Sequence, residues 1–139
     1  MREKNKTRLF YWIPVMGYCL LIFVQSSYPS APRPEDLPHT DKLLHFLAYA
    51  ILGVLFFRAF GNTLQGKADS RLLMILSIIG ASLYGISDEI HQHYVPSRHA
   101  DMADILADTI GGIYGVFFYH LFLPKLETLW QRVRKLRLP

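Results

Sequence analysis

The amino-acid sequence predicts an all-α, polytopic membrane protein with four transmembrane helices. Of its 139 residues, 51% are hydrophobic, and the mean hydropathy is positive at +0.18. The apolar residues are concentrated in four blocks, each close to the roughly 20 residues that cross a bilayer once flanking polar side chains snorkel to the interface. A soluble domain of this size would not divide its hydrophobic residues in this way. The predicted spans cover residues 9–25, 42–60, 72–92 and 103–123.

The positions of the basic residues predict that both termini are cytoplasmic. The net charge is +4, which alone would also suit a nucleic-acid-binding protein. With the termini inside, however, twelve of the fifteen lysines and arginines fall on the cytoplasmic side, and only Arg33, Lys42 and Arg98 fall outside. The opposite topology would reverse this positive-inside bias. The sequence therefore predicts a multi-pass protein of the inner (plasma) membrane whose partner is the lipid bilayer and not nucleic acid.

Three regions follow from this topology: a basic cytoplasmic N-terminus at 1–8, a four-helix membrane domain at 9–124 and a basic amphipathic tail at 125–139. The first apolar block resembles a signal peptide with a cleavage site after Ala31. It is long for a signal peptide and a proline would follow the cut, so we predict a retained anchor helix. Pro124 predicts the end of the fourth helix. The tail beyond it is predicted to lie along the inner membrane surface.

The predicted outer end of the second helix carries polar residues whose roles stay open at this stage. Thr40 can cap the helix, and Asp41 lies in its first turn, where the helix macrodipole favours an acid. His45 lies four residues further along, on the same face as Asp41 and within an otherwise apolar run. Capping alone would explain Asp41, and a single buried histidine is usually a core residue. The alternative is a working acid–histidine pair.

The stretch between residues 88 and 115 is the predicted functional site. It contains five carboxylates, three histidines and one arginine between two apolar segments. A charged side chain near hydrocarbon costs about 2.5–3.5 kcal/mol, so such clusters persist where they face a cavity, pair with one another or take part in chemistry. Asp88 and Glu89 end the third helix, where the macrodipole opposes them, and they require compensating cations. The cations available for this role are Lys42, His91, His93 and Arg98.

One face of the predicted fourth helix carries acids above and glycines below. Ser97 is the predicted cap of this helix, and at about 100° per residue five later positions fall in one wedge. These positions are Asp101, Asp104, Asp108, Gly111 and Gly115. Gly111 and Gly115 form a GxxxG pattern, which is typical of close helix packing in membranes. The wedge predicts that the middle of the fourth helix packs tightly against a neighbouring helix. At its outer end, the acids on the same face are predicted to line a polar pocket.

Several short motifs together resemble those of a known family. They are Asp41-Lys42-x-x-His45-Phe46, then Glu89-x-x-Gln92, then Arg98-x-x-Asp101-x-x-Asp104. With the glycines that follow, over residues 41–115, they resemble the VanZ-like membrane proteins. The resemblance implies a small polytopic protein of the cell envelope, and the member that gives the family its name is associated with low-level resistance to the glycopeptide teicoplanin. Asp108 departs from the family, which often has asparagine there, and adds a negative charge.

The residues and the resemblance together predict an outward-facing pocket that binds or acts on an anionic, lipid-linked envelope molecule or a glycopeptide. Arg98 can hold a phosphate or carboxylate by a two-point contact that lysine cannot reproduce. The predicted acid–base residues are His45, Glu89 and Asp104. The predicted ligand-binding residues are Asp41, Lys42, Gln92, Arg98, Asp101 and Asp108. Such a pocket would affect susceptibility to teicoplanin; whether it also catalyses a reaction is left open.

Two alternatives concern metal binding and a purely structural role. No cofactor is predicted, although the pocket is rich in carboxylate and imidazole donors suited to zinc, manganese or magnesium. A divalent metal is the weaker alternative, because no spacing matches a recognised motif such as HExxH. The structural alternative is a non-enzymatic or accessory membrane protein in which the polar residues lock the helix bundle.

Overall fold

The computed structural model contains four helices, each long and apolar enough to cross a membrane, and no strand in the part of the chain that it describes. The described residues are 2–29, 40–64, 67–96 and 98–136, with side chains for 9–29, 40–64, 67–96 and 98–122. The helices are α1 (Arg2–Ser26), α2 (Thr40–Thr63), α3 (Ser70–His93) and α4 (Met102–Leu136). The candidate spans within them are Leu9–Ser26, Thr40–Thr63, Ser70–His93 and Met102–Phe122. The predicted all-helical, four-span fold is confirmed.

Both ends of α4 differ from the sequence predictions. The helix begins at Met102, and Asp101 caps it, because Asp101 Oδ1 accepts a hydrogen bond from the backbone N–H of Ala103 at 2.8 Å. The predicted cap, Ser97, precedes this start by more than a helical turn and itself lies outside the described residues. At the other end, the backbone of α4 continues through Pro124 to Leu136, so the end predicted from that proline is not observed.

Some sequence predictions fall outside the described residues. They concern the cleavage site after Ala31, the outer-loop cation Arg33, and the side chains of the regions 1–8 and 125–139. The backbone of α1 is described from Arg2 to Ser26 and runs without interruption through Pro14. The first apolar block therefore has the length and form that a membrane anchor requires.

Glycines bring the backbones of α2 and α4 into direct contact. A Cβ atom at Gly111 would overlap the carbonyl oxygen of Phe46, and one at Gly115 would overlap the carbonyl oxygen of Ala50. Small residues at such positions let membrane helices approach closely enough for van der Waals contact between backbones. The predicted GxxxG face is thus the seam between α2 and α4. Asp104 and Asp108 lie one to two turns before Gly111 on the same face of α4. The seam therefore places these two acids next to the start of α2.

α1 is the helix that contributes least to this seam, since it packs on α2 and α3 and makes no contact with α4 in the described part of the chain. Val15 and Ile22 are its buried core residues. Trp12 Nε1 donates a hydrogen bond of 2.9 Å to Thr63 Oγ1 at the end of α2. Nearer the opposite end, the Tyr84 hydroxyl of α3 donates to the backbone carbonyl of Cys19. Beyond these contacts, a cavity separates α1 from α2 and α3.

Candidate functional site

Three helix ends meet at the end of the bundle that contains the predicted site. α2 begins there at Thr40, α3 ends there at His93, and α4 begins there at Met102. Polar side chains on these ends point inward, so four carboxylates and one amide are buried: Asp88, Glu89, Gln92, Asp104 and Asp108. Together with Lys42, His45, Arg98 and Asp101, they form what we call the polar cluster.

Lys42 joins the start of α2 to the start of α4. Its Nζ donates to Asp101 Oδ2 at 2.6 Å and to Asp104 Oδ1 at 2.9 Å. The hydrogen bond from the Lys42 ammonium lowers the pKa of the Asp101 carboxyl below its ordinary value. Asp104 is buried whereas Asp101 is exposed, so solvent screens the contact with Asp104 less. Within the polar cluster, Lys42 therefore connects the start of α2 to the start of α4.

His45 and Asp108 form the deepest contact of the polar cluster. His45 Nδ1 lies 2.9 Å from Asp108 Oδ1, and the Asp108 side chain has no exposed surface. Gly85 of α3 makes room for this carboxylate, because a Cβ there would lie 2.7 Å from Asp108 Oδ2. A carboxylate can only accept, so Nδ1 carries the proton in this contact, and a neutral imidazole then has its lone pair at Nε2. Asp108 thereby fixes both the orientation and the tautomer of His45.

The amide of Gln92 organises the two acids at the end of α3. Gln92 Nε2 donates to Asp88 Oδ2 at 3.0 Å and to Glu89 Oε1 at 3.2 Å. The second carboxylate oxygen of Glu89 accepts a 2.9 Å hydrogen bond from the backbone N–H of Asp101. Both acids are thus held by neutral donors, which satisfy hydrogen bonds but supply no positive charge.

Arg98 closes the polar cluster over the end of α1. Its Nη1 donates to Gln92 Oε1 at 3.0 Å, its Nε to the Tyr28 carbonyl at 2.8 Å and its Nη2 to the Gln25 carbonyl at 3.2 Å. A cation beside the last carbonyls of a helix is also favoured by the macrodipole. All three of these acceptors are neutral oxygens, so the guanidinium keeps its positive charge while being fixed in place.

Among the described residues, none of the four cations expected to compensate Asp88 and Glu89 bonds directly to either acid. Lys42 bonds to Asp101 and Asp104 instead. Arg98 reaches the two acids through Gln92 rather than directly. His91 Nε2 instead lies 2.9 Å from the hydroxyl of Ser27, which directly follows α1. His93 is exposed. The physical reason is the position of Gln92, which falls between the two acids around α3 and donates to both. At about 100° per residue, His91 and His93 fall outside the acids, one on each side.

A cavity of about 380 Å³ opens beside the polar cluster, between α1, α2 and α3. Its apolar wall includes Leu21, Ile22, Leu44 and Ala48, and its polar wall includes Gln25, Asp41, His45, Asp88 and Arg98. Asp88 Oδ1 is buried in this wall without a hydrogen-bond partner. The cavity therefore offers an uncompensated acceptor at Asp88 and a fixed cation at Arg98.

Two sets of three residues in the described part of the chain bring potential metal ligands together. They are Asp41, His45 and Asp104, and His45, Glu89 and Asp108; within each set, one ligand atom per residue lies within 4.8 Å of the others. His45 belongs to both sets because it lies between the cavity and the buried acids. His91 and His93 belong to neither set.

The structure brings all nine predicted site residues to one end of the bundle, although their functional roles stay predictions. It adds groups that sequence reasoning missed, namely the backbone carbonyls of Gln25 and Tyr28 and the side chain of Tyr49, which stacks beside His45. A backbone carbonyl leaves no signal in side-chain patterns. Tyr49 was detectable in principle, because it lies one helical turn from His45 on the same face of α2.

Comparison with known proteins identifies the family of the chain. A profile of the family described as VanZ/LLP1 matches residues 3–123, nearly the whole chain. A relative from Schizosaccharomyces pombe, described as "Uncharacterized protein C11E3.10", is 23% identical over 97 residues, which are 70% of this chain. The chain spans 57% of the length of that relative. No solved structure matches. From the extent of the family match, the chain belongs to the VanZ/LLP1 family.

Proposed function

We propose that the cavity beside the polar cluster binds a lipid-linked envelope molecule with an anionic head group. The observation that carries the proposal is the division of the cavity into an apolar wall and a polar wall. An amphiphile needs both surfaces at once, and in a membrane protein it can reach them from the bilayer without passing through water.

The apolar wall suits a hydrocarbon chain because two of its leucines are also exposed on the surface of the spanning helices. Leu21 of α1 and Leu44 of α2 both line the cavity, and they are 61% and 59% exposed. In a spanning helix, such exposed leucines face lipid. A lipid chain can therefore lie between α1 and α2 while its head group reaches the polar wall.

The polar wall suits an anionic head group that also carries hydrogen-bond donors. Lys42 is engaged by two carboxylates. Among the described residues, Arg98 also lines the cavity, and its acceptors are neutral oxygens. A guanidinium binds phosphate or carboxylate oxygens strongly and in a defined geometry. The unpartnered Asp88 Oδ1 would accept a hydroxyl or amine hydrogen from the same head group. Phosphorylated sugars combine these two properties.

A link to glycopeptide susceptibility would follow from this binding. A protein that holds a lipid-linked precursor at the outer membrane surface changes the amount of that precursor available to teicoplanin. We assign the primary role to binding; His45, Glu89 and Asp104 are the residues that would move protons if the bound molecule is also processed.

The binding proposal predicts that Arg98→Gln weakens retention of a polyprenyl phosphate about 10- to 100-fold, the range expected for losing a charge-assisted contact. The measurement is native mass spectrometry of the purified protein in nanodiscs that contain either polyprenyl phosphate or the uncharged polyprenol. Arg58→Gln is the matched control, because it makes the same chemical change at the opposite end of α2, where Arg58 lies over the Tyr11 ring.

Retention of the uncharged polyprenol separates loss of charge recognition from loss of structure, since Arg98 also holds the end of α1. The proposal requires Arg98→Gln to reduce binding of the phosphate much more than binding of the polyprenol. Equal retention of polyprenyl phosphate by wild type, Arg98→Gln and Arg58→Gln would contradict it.

A structural role is the second candidate, and a specific observation favours it. Lys42 ties α2 to α4, and Arg98 ties the connection before α4 to the end of α1. If these ties are the function of the polar cluster, conservative changes throughout it would lower protein abundance in parallel. If the cluster is a binding site, Arg98→Lys leaves a folded protein with altered ligand retention.

A further inference from the structure

The buried part of the polar cluster contains more negative than positive charge. Asp88, Glu89, Asp104 and Asp108 are each no more than 5% exposed. In the described part of the chain, Lys42 pairs with Asp104 and His45 with Asp108, whereas Asp88 and Glu89 have only amide donors. Buried charges in proteins are normally paired with an opposite charge or bound to a metal. The excess of buried negative charge would be reduced by binding a further cation.

The side chains around His45 have the composition and spacing of a metal site. Ligand atoms of Asp41, His45 and Asp104 lie within 4.8 Å of one another, which is the spacing of groups that could hold one metal ion between them. Since Asp108 occupies Nδ1 of His45, Nε2 is the nitrogen left to bind the ion. A carboxylate behind a metal-binding histidine is the usual arrangement in metalloproteins.

An independent observation points to a ligand in the same cavity. Asp88 is 5% exposed, and its Oδ1 has no hydrogen-bond partner. Asp88 lines the cavity together with Asp41 and His45. An unsatisfied buried carboxylate oxygen is costly, and a cation, or a water or hydroxyl group bound to it, would satisfy this one.

We propose that Asp41, His45 and Asp104 bind a divalent cation at the wall of the cavity, and that zinc is the preferred ion. Imidazole with carboxylates favours zinc over magnesium or calcium, which prefer oxygen ligands alone. Three protein ligands leave a coordination position open towards the cavity. The inference deepens the proposed function and rests on it for the occupant of that position, a phosphate oxygen of the head group. Asp108 is a positioning residue that orients His45.

The test measures zinc bound by the purified full chain in the absence of added lipid. The detergent-solubilised protein is stripped with EDTA, desalted, given one equivalent of Zn²⁺ and desalted again before elemental analysis. We expect about one zinc per wild-type chain, as for other three-ligand protein sites. His45→Gln and Asp41→Asn should lose most of it, and Asp108→Asn should weaken zinc affinity about 10- to 100-fold.

Two controls keep this test decisive. His93→Gln removes an exposed histidine from the same end of the bundle that belongs to neither ligand set, and it should retain zinc like wild type. If His45→Gln fails to fold, Co²⁺ added to the wild-type protein provides a second measurement, through the visible absorption of cobalt bound by nitrogen and oxygen ligands. Wild-type protein that retains no zinc and shows no cobalt spectrum, or equal loss in His93→Gln and a folded His45→Gln, would overturn the inference.

Repeating the polyprenyl phosphate experiment with and without EDTA separates the two proposals. Zinc bound without retention of polyprenyl phosphate would contradict the proposed function and leave the cation site intact. Polyprenyl phosphate retained equally with and without EDTA, by protein that binds no zinc, would contradict the cation site and leave the proposed function intact.

Discussion

Gly111→Ala should sharply reduce the amount of folded protein in the membrane. The new Cβ would overlap the carbonyl oxygen of Phe46 on α2. The positions of the Cβ atom and of the carbonyl oxygen are both fixed by the helix backbones, so no side-chain rotation can remove the overlap. It can be removed only if α2 and α4 move apart. Overpacking of a well-packed core typically costs about 1–3 kcal/mol, and we expect at least the upper part of that range here. The measurement is thermal stability in detergent by fluorescence-detected size-exclusion chromatography, with abundance in membranes as a second readout.

Gly17→Ala is the matched control for this substitution. It makes the same chemical change in another membrane-spanning helix, but a Cβ at Gly17 would meet nothing within 4 Å. Since alanine has a higher helix propensity than glycine, this variant should be as stable as wild type or more so. Equal stability of the Gly111→Ala and Gly17→Ala variants would mean that the close contact between α2 and α4 is not the seam of the bundle.

His45→Phe is expected to destabilise the protein by about 3–5 kcal/mol, because it leaves the fully buried Asp108 carboxylate without its partner. Replacing both members of a buried pair by apolar residues is often neutral or stabilising. The double variant His45→Phe with Asp108→Leu should therefore recover most of the lost stability. Thermal unfolding should be measured in EDTA, so that metal binding makes no contribution to the comparison.

The double variant also separates structure from function at this pair. His93→Phe, which changes an exposed histidine, should have little effect on stability. A folded double variant that no longer binds Zn²⁺ would identify the pair as part of a site. The single variant Asp108→Leu completes the comparison. If the double variant is destabilised by the sum of the effects of His45→Phe and Asp108→Leu measured separately, the result would contradict an interaction between His45 and Asp108.

Much of the fold was predictable because it depends on repeated local features. Four apolar blocks require four spans in a bilayer, and the wedge that contains Asp104, Asp108, Gly111 and Gly115 fixes which face of α4 meets the bundle. The position of Asp108 above the glycines already indicated that it is held close to another helix. The contact of Asp108 with His45 follows once α2 is identified as that helix.

The remaining features depend on tertiary contacts that side-chain patterns do not contain. Lys42 reaches two acids near the start of α4, and Arg98 binds carbonyls near the end of α1; both contacts join segments distant in sequence. Asp101 caps α4 because its carboxylate lies next to the true helix start, whereas Ser97 is too far upstream. A proline predicts a helix end from its missing donor, yet the backbone of α4 continues through Pro124.

The proposed function requires the polar cluster to face the outer side of the membrane, and cysteine labelling in intact cells tests this directly. In a Cys19→Ala background, His99→Cys and Lys67→Cys place single thiols at exposed positions at opposite ends of the bundle. The positive-inside bias predicts that a membrane-impermeant maleimide labels the His99→Cys protein in intact cells and the Lys67→Cys protein only after permeabilisation. Labelling of the Lys67→Cys protein in intact cells, with the His99→Cys protein protected, would place the polar cluster on the cytoplasmic side and contradict binding of an envelope molecule at the outer surface.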